Sequence, residues 1–254
     1  MTGRYNAARQ IECINVSQEN VMNKEEKYRS LVHKRKSCRS CRGLVNPAVH
    51  DNGKFDSSEI GPWTLWQGNL NAKIMIVGQD WGDKKYFTKW KGADQPSGNP
   101  TNSNLQKLLH QIGIDIKSPR EQQEQAIFLT NLIICLKEGG LQAPIEDEWL
   151  NNCCNMFFRD LVELIRPRIV LALGKRVAET ILNLYEIPYR KTWTLNQLMQ
   201  NGPFNLFDST FLFPIYHCGA SGVNRNRSFE DQNADWKNVA NWVLKNDGQH
   251  TFRP

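Results

Sequence analysis

The sequence predicts an α/β fold of three layers, α/β/α, around a mostly parallel central sheet. Three observations predict it. Lys73–Val77, Ala126–Ile134 and Arg168–Leu173 are short apolar runs of the length of buried strands. Segments with apolar residues at helical spacing alternate with them, as crossovers between parallel strands require. Each run ends just before a polar loop, and sites in such sheets open at the carboxyl ends of the strands.

Taken in order, residues 1–22 are irregular and residues 23–254 read as one domain. Asn23–Lys36 carries Tyr28, Leu31 and Val32 at helical spacing and leads into Cys38. Residues 43–62 form a loop punctuated by Asn46, Pro47, Asp51, Gly53 and Gly61. The polar stretch 82–102 reads as a long loop, a type usually reserved for function or disorder. Ser103–Ile112 is a helix with Leu105, Leu108 and Leu109 on one face. Ile145–Ile165 is an amphipathic helix whose acidic opening suits its N-terminus, with Pro167 past its end. After Gly174 comes a helix over Lys175–Leu184. Phe204–Phe207 and Thr210–Ile215 are strands joined by the two-residue turn Asp208-Ser209. Phe229–Lys245 closes the chain as a helix that turns Trp236, Val239, Trp242 and Val243 inward.

The composition narrows the function classes. At 40% hydrophobic, the 254 residues hold enough apolar material for a sizeable core, yet no run reaches the about 18 apolar residues of a membrane span. Met1–Glu19 is polar and has no signal-peptide core, so a cytoplasmic location without a membrane partner is expected. A formal charge of +6 permits a phosphate backbone as partner without demanding one. In a reducing compartment seven cysteines call for an explanation other than disulfides.

Cys38-Arg39-Ser40-Cys41 is a C-x-x-C, Cys135 follows the second strand, and Cys153 and Cys154 lie in the next helix. Two ligands from a tight loop and two distant ones can enclose an iron–sulfur cubane through four thiolates, and a four-thiolate zinc site uses the same donors. Neighbours on a helix point about 100° apart, so only one of Cys153 and Cys154 serves as a ligand. Cys13 and Cys218 are read as non-ligands.

Three polar residues stand at strand ends. Asp80 lies just past the first strand in Gly78-Gln79-Asp80-Trp81-Gly82, Asn131 in Thr130-Asn131 at the second, and His217 in Tyr216-His217-Cys218-Gly219 past the last. Hydrolysis of a glycosidic bond passes through a cationic sugar and a departing anionic base. A carboxylate can orient water and face the sugar, and an imidazole can donate to the oxygen where charge collects. A carboxamide offers the donor and acceptor that reading a pyrimidine edge needs.

In this order, from Cys38 to Leu244, these pieces resemble the uracil-DNA glycosylase superfamily, and the layout is most similar to its iron–sulfur branch (family 4). There a C-x-x-C precedes the first strand, a third cysteine follows a Thr-Asn strand end, and a fourth lies in the helix before an Ile-Arg-Pro. This chain has Cys38 and Cys41, Thr130-Asn131 with Cys135, then Cys154, Ile165-Arg166-Pro167 and Leu173-Gly174-Lys175. The resemblance implies a structural 4Fe–4S cluster on Cys38, Cys41, Cys135 and Cys154, with zinc as the alternative. Cys154 is favoured over Cys153 because its distance to Arg166-Pro167 fits the family pattern.

The first motif departs from that branch, which has Gly-Glu-Ala-Pro-Gly, and is closer to the Gly-Gln-Asp-Pro-Tyr-His of other uracil enzymes. By that likeness Asp80 activates water and His217 stabilises the leaving base. Gly78, Gln79, Trp81, Gly82 and Asn131 line the base pocket, and Lys175, Ser221, Arg225 and Arg227 contact DNA. The tyrosine that blocks a C5 substituent in those enzymes is Gly82 here, and the usual stacking phenylalanine is missing from Gly98–Asn102, leaving Trp81, Tyr86 or Phe87 as substitutes. The expected protein is a monomeric, monofunctional DNA glycosylase acting on uracil or a related pyrimidine in repair. Two alternatives stay open: a glycosylase for bulky C5-modified pyrimidines, such as glucosylated hydroxymethylcytosine, in anti-phage defence, and a non-catalytic DNA-binding module of the same fold.

Overall fold

The computed structural model describes residues 24–61, 67, 69–92, 100–116, 126–219 and 227–246. Its centre is a five-stranded sheet of β2 (Ile74–Gly78), β3 (Ile127–Asn131), β5 (Ile169–Leu173), β6 (Phe204–Phe207) and β7 (Thr210–Ile215), in the order β3-β2-β5-β7-β6. The first four in that order run parallel, and β6 closes one edge antiparallel to β7 across the Asp208-Ser209 turn. Every residue of β2 and β5 is buried, which is why both read as unbroken apolar runs rather than alternating ones.

Side chains two apart leave a strand on the same face. Met75, Val77, Val170 and Ala172 therefore enter one core with α1 (residues 24–37), α4 (Asp147–Cys153), α5 (Arg159–Ile165), α6 (Lys175–Leu184) and α7 (Leu195–Asn201). Ile74, Ile76, Ile169 and Leu171 enter the other with α3 (Pro100–His110) and α8 (Phe229–Asn246). The expected three-layer arrangement is the observed one. Among the described residues no helix is long and apolar enough to cross a membrane.

Three local features differ from expectation. The loop expected over 82–102 holds α2 (Lys84–Lys89) and the first turn of α3. Asp83 caps α2 by accepting from the Tyr86 amide at 2.6 Å, and Phe87 anchors it in a small cluster with Trp81 and Leu136. A two-stranded ribbon of β1 (Leu44–Val45) and β4 (Leu136–Lys137) forms beside the sheet. The helix expected over 145–165 begins at Asp147 and is interrupted by a π turn, Cys154–Phe158, between α4 and α5.

Candidate active site and cysteine cavity

The strand ends bring the three expected polar residues to one edge of the sheet. Gly78 and Asn131 are register partners at the ends of β2 and β3. A Cβ on Gly78 would lie 2.1 Å from the Asn131 Oδ1, so the glycine is what lets that carboxamide stand over β2. Asp80 follows two residues later, and its side chain is 12% exposed. Its Oδ1 accepts from the Gly82 amide at 2.9 Å and faces the Lys137 Nζ at 3.2 Å. Its Oδ2 accepts from the Gln79 Nε2 at 3.2 Å. Gln79, expected to line the base pocket, thus reaches the carboxylate.

His217 lies two residues past β7, across β5 from Asp80. His217 keeps an exposed surface, yet partial desolvation by the residues around it disfavours its imidazolium form, while the Asp80 carboxylate pulls the other way. Asp80 and His217 thus follow the two strands that flank β5, at the same carboxyl edge of the sheet. The Gly219 amide donates to the His217 Nδ1 at 2.9 Å, so in the neutral ring the proton sits on Nε2. Asn104 of α3 donates to the Cys218 carbonyl at 2.8 Å, fixing the segment that carries the histidine.

The remaining expected residues fall into two groups. Trp81 is 8% exposed against Phe87 and Leu136, and Phe87 is wholly buried, so Phe87 is core and no stacking partner for a base. Gly82 has a φ of +97°, and a Cβ there would meet the Leu141 Cδ2 at 2.8 Å; the position expected to be open is flanked by an exposed leucine. Lys175 opens α6 at the same edge and lies 3.4 Å from Glu179. Arg227 does not project as a free phosphate ligand. Its Nε and Nη2 grip Asp235 at 2.8 Å each, and its guanidinium lies over the Tyr216 ring. Ser221 and Arg225 lie outside the described residues, as do Cys13 and the segment 1–22.

Lys137 is a site residue that the sequence reading missed. It is 3% exposed, and its Nζ donates to the Leu141 carbonyl at 2.8 Å and the Ala143 carbonyl at 3.4 Å. The available signal was a lysine directly after the apolar run Leu132–Leu136, where a solvated side chain is out of place.

Behind this edge Cys38, Cys41, Cys135 and Cys153 line one cavity of about 80 Å³. Cys153, and not the Cys154 expected as the fourth ligand, is the helix cysteine that lines it. Cys153 and Cys41 share a hydrogen bond that lowers the Cys41 thiol to about 6 and raises that of Cys153. Cys154 does not line the cavity; burial alone lifts its thiol to about 12. The expectation for Cys154 rested on its distance along the chain to Arg166-Pro167, and a π turn, Cys154–Phe158, lies within that stretch. Burial also lifts the Cys135 thiol to about 12, with Arg35 and Arg39 acting against that rise. Asn46 holds the C-x-x-C loop through its amide to the Arg35 carbonyl at 2.6 Å and the Cys38 carbonyl at 3.0 Å. Among the described residues no three His, Cys, Asp or Glu side chains meet closely enough to hold a single metal ion.

A parallel sheet with a carboxylate, a carboxamide and an imidazole at one edge defines an α/β class with a site at its strand ends. Residues 65–244 match the family model of the uracil DNA glycosylase superfamily, and the chain belongs to that superfamily. It is 24% identical over 176 residues to a type-5 uracil-DNA glycosylase of Pyrobaculum aerophilum, covering 62% of this chain and 70% of the relative. It is 24% identical over 159 residues to a type-4 uracil-DNA glycosylase of Saccharolobus solfataricus, covering 62% and 66%. A type-4 uracil-DNA glycosylase of Thermotoga maritima is 22% identical over 164 residues, covering 65% and 72%.

Proposed function

We propose that the chain is a monofunctional DNA glycosylase that hydrolyses the N-glycosidic bond of an extruded uracil or closely related pyrimidine and leaves an abasic site. The observation that carries this reading is the placement of Asp80, Asn131 and His217 at or just past the carboxyl ends of three strands of one sheet, β2, β3 and β7. Asp80 Oδ1 is engaged by Gly82 and Lys137, so Oδ2, which accepts from the Gln79 Nε2 but faces no cation, is the oxygen that orients water and faces the sugar cation. His217, neutral with its proton on Nε2, donates to the carbonyl oxygen of the leaving base as charge collects there. Asn131 reads the base edge through its donor and acceptor.

The four thiols around the cavity, with Arg35 and Arg39 nearby to favour their anionic forms, fit a 4Fe–4S cluster on Cys38, Cys41, Cys135 and Cys153. Such a cluster would act structurally, tying the loop after α1 and the segment after β3 to α4. A single zinc ion would need the same four thiolates closer together than they stand here, and metal analysis of the purified protein separates the two.

The test is an abasic-site assay on duplex and single-stranded DNA containing uracil, thymine or a bulky C5-modified cytosine. Uracil excision by the wild type, lost in Asp80→Asn with DNA binding retained, is the expected result. Excision of the bulky base alone would replace uracil as the substrate. Binding without excision on every DNA would leave a binding module.

A further inference from the structure

We propose that Lys137 is a positioning residue for the hydrolytic carboxylate, fastening Asp80 Oδ1 to the backbone of the loop at residues 138–143 so that Oδ2, on the Gln79 side, is the oxygen presented to water. This rests on the role of Asp80 proposed above and adds a residue to it.

An ammonium removed from water needs an oxygen for each of its three protons. The three oxygens near Lys137 Nζ are the Leu141 carbonyl at 2.8 Å, the Asp80 Oδ1 at 3.2 Å and the Ala143 carbonyl at 3.4 Å. With 3% of its side chain exposed, Lys137 has no other use for its charge. The backbone around it is equally tied. Its amide donates to the Gly82 carbonyl at 3.0 Å, and its Cα register partner across the small ribbon is Leu44. The Gly82 amide in turn donates to the same Asp80 Oδ1 that faces the lysine. Asp80, Gly82 and Lys137 thus close a ring of contacts, and rotation of the carboxylate would break two of them at once. Gly139 and Gly140, at φ of +89° and +103°, let the following chain turn back so that two carbonyls point at Nζ.

Covalent chemistry at Lys137 is not what this geometry offers. All its donors are engaged and its head is enclosed, so it has neither a free lone pair nor a path to a sugar C1′. Its effect is orientation and charge. A buried carboxylate deprived of its cation is left uncompensated and turns towards other donors.

The test compares wild type, Lys137→Met, Asp80→Asn and the double variant on the DNA that the wild type cleaves. Lys137→Met is expected to lower the single-turnover excision rate roughly 100-fold, the cost of a misplaced reacting group, with DNA affinity within about twofold. In the Asp80→Asn background the same substitution should change the residual rate by less than about threefold, because the lysine acts only through that carboxylate. A purely structural role would give equal losses in both backgrounds, and would overturn the proposal. Should Lys137→Met fail to fold by circular dichroism, Lys137→Gln keeps a donor for the carbonyls without the charge and carries the same expectations. A borohydride-trapped adduct between DNA and Lys137 would also overturn it, in favour of a covalent role. Excision by wild type that survives unchanged in Lys137→Met removes this inference alone. No excision by wild type on any DNA removes the parent reading, and this one with it.

Discussion

The hydrolytic edge and the cysteine cavity are built from the same kinds of element by different rules. Asp80, Asn131 and His217 are placed by strand ends: a parallel register puts Gly78 beside Asn131, and the chain leaves the sheet within two residues of each functional group. The four cysteines come from a loop after a helix, a segment after a strand and one face of α4. A strand end is fixed by where the apolar run stops. A helix face is fixed by phase. A strand-end site therefore tolerates small errors in the placement of elements, whereas neighbours on a helix such as Cys153 and Cys154 point about 100° apart, and of the two Cys153 lines the cavity.

The largest effect expected on the hydrolytic edge is that of Asp80→Asn. It keeps the shape and loses the charge, so excision should fall by roughly 10²–10⁴-fold while DNA affinity holds. Single-turnover kinetics with a gel-shift measurement in parallel separates the two. On the cavity side, Cys153→Ser should abolish the visible absorbance and bound iron of the purified protein and lower its melting temperature. Cys154→Ser should keep both, since Cys154 is buried in the apolar core and does not line the cavity. Iron retained by Cys153→Ser and lost by Cys154→Ser would reverse the assignment, and with it the phase argument that separates the two sites.

The same contrast shows what the sequence made legible. Buried strands announce themselves because a parallel strand is apolar on both faces, and β2, β3, β5 and β7 were readable to within a residue or a few. The hairpin was readable because Asp208-Ser209 has the length of a two-residue turn, with Asp208 at a φ of +43°. α2 and α7 were not, because each is about two turns long and depends on its cap: Asp83 for one, and Thr194 with Gln197 for the other. The role of Arg227 was misjudged because a basic residue near a basic loop looks available until its partner, Asp235, one helix further on, is seen. Lys137 was passed over for a related reason. Its partners are two backbone carbonyls and an aspartate 57 positions earlier, and no local pattern encodes such a set.

A smaller expected effect tests how tightly the strand ends define the edge. In Gly78→Ala the new Cβ would lie 2.1 Å from the Asn131 Oδ1, and the carboxamide must swing away. Excision should fall roughly 10- to 100-fold, with fold stability little changed, because the backbone at Gly78 is an ordinary extended one. Gly174→Ala is the counterpart. Nothing lies within 4 Å of its would-be Cβ, but its φ is +105°, so it should lose about 1 kcal/mol of stability and little activity. Thermal melts and excision rates on the two variants give opposite patterns if Asn131 is a reader of the base, and parallel ones if it is only packing.

The smallest effect is a pH dependence at His217. Partial desolvation disfavours its charged form more than Asp80 favours it, so in the folded protein it takes up a proton at a lower pH than the usual imidazole value of 6.5. The unfolded chain binds that proton first, so this group's stabilising contribution is complete above 6.5 and falls as the pH drops through the window below it. Excision, which needs the neutral ring with a proton on Nε2, should be flat through neutral pH and decline only on the acid side of the usual value. An NMR titration of the ring supplies the sign independently. Removing the attraction in Asp80→Asn should push the midpoint lower still, whereas an unmoved midpoint would mean that the two groups at this edge do not sense each other.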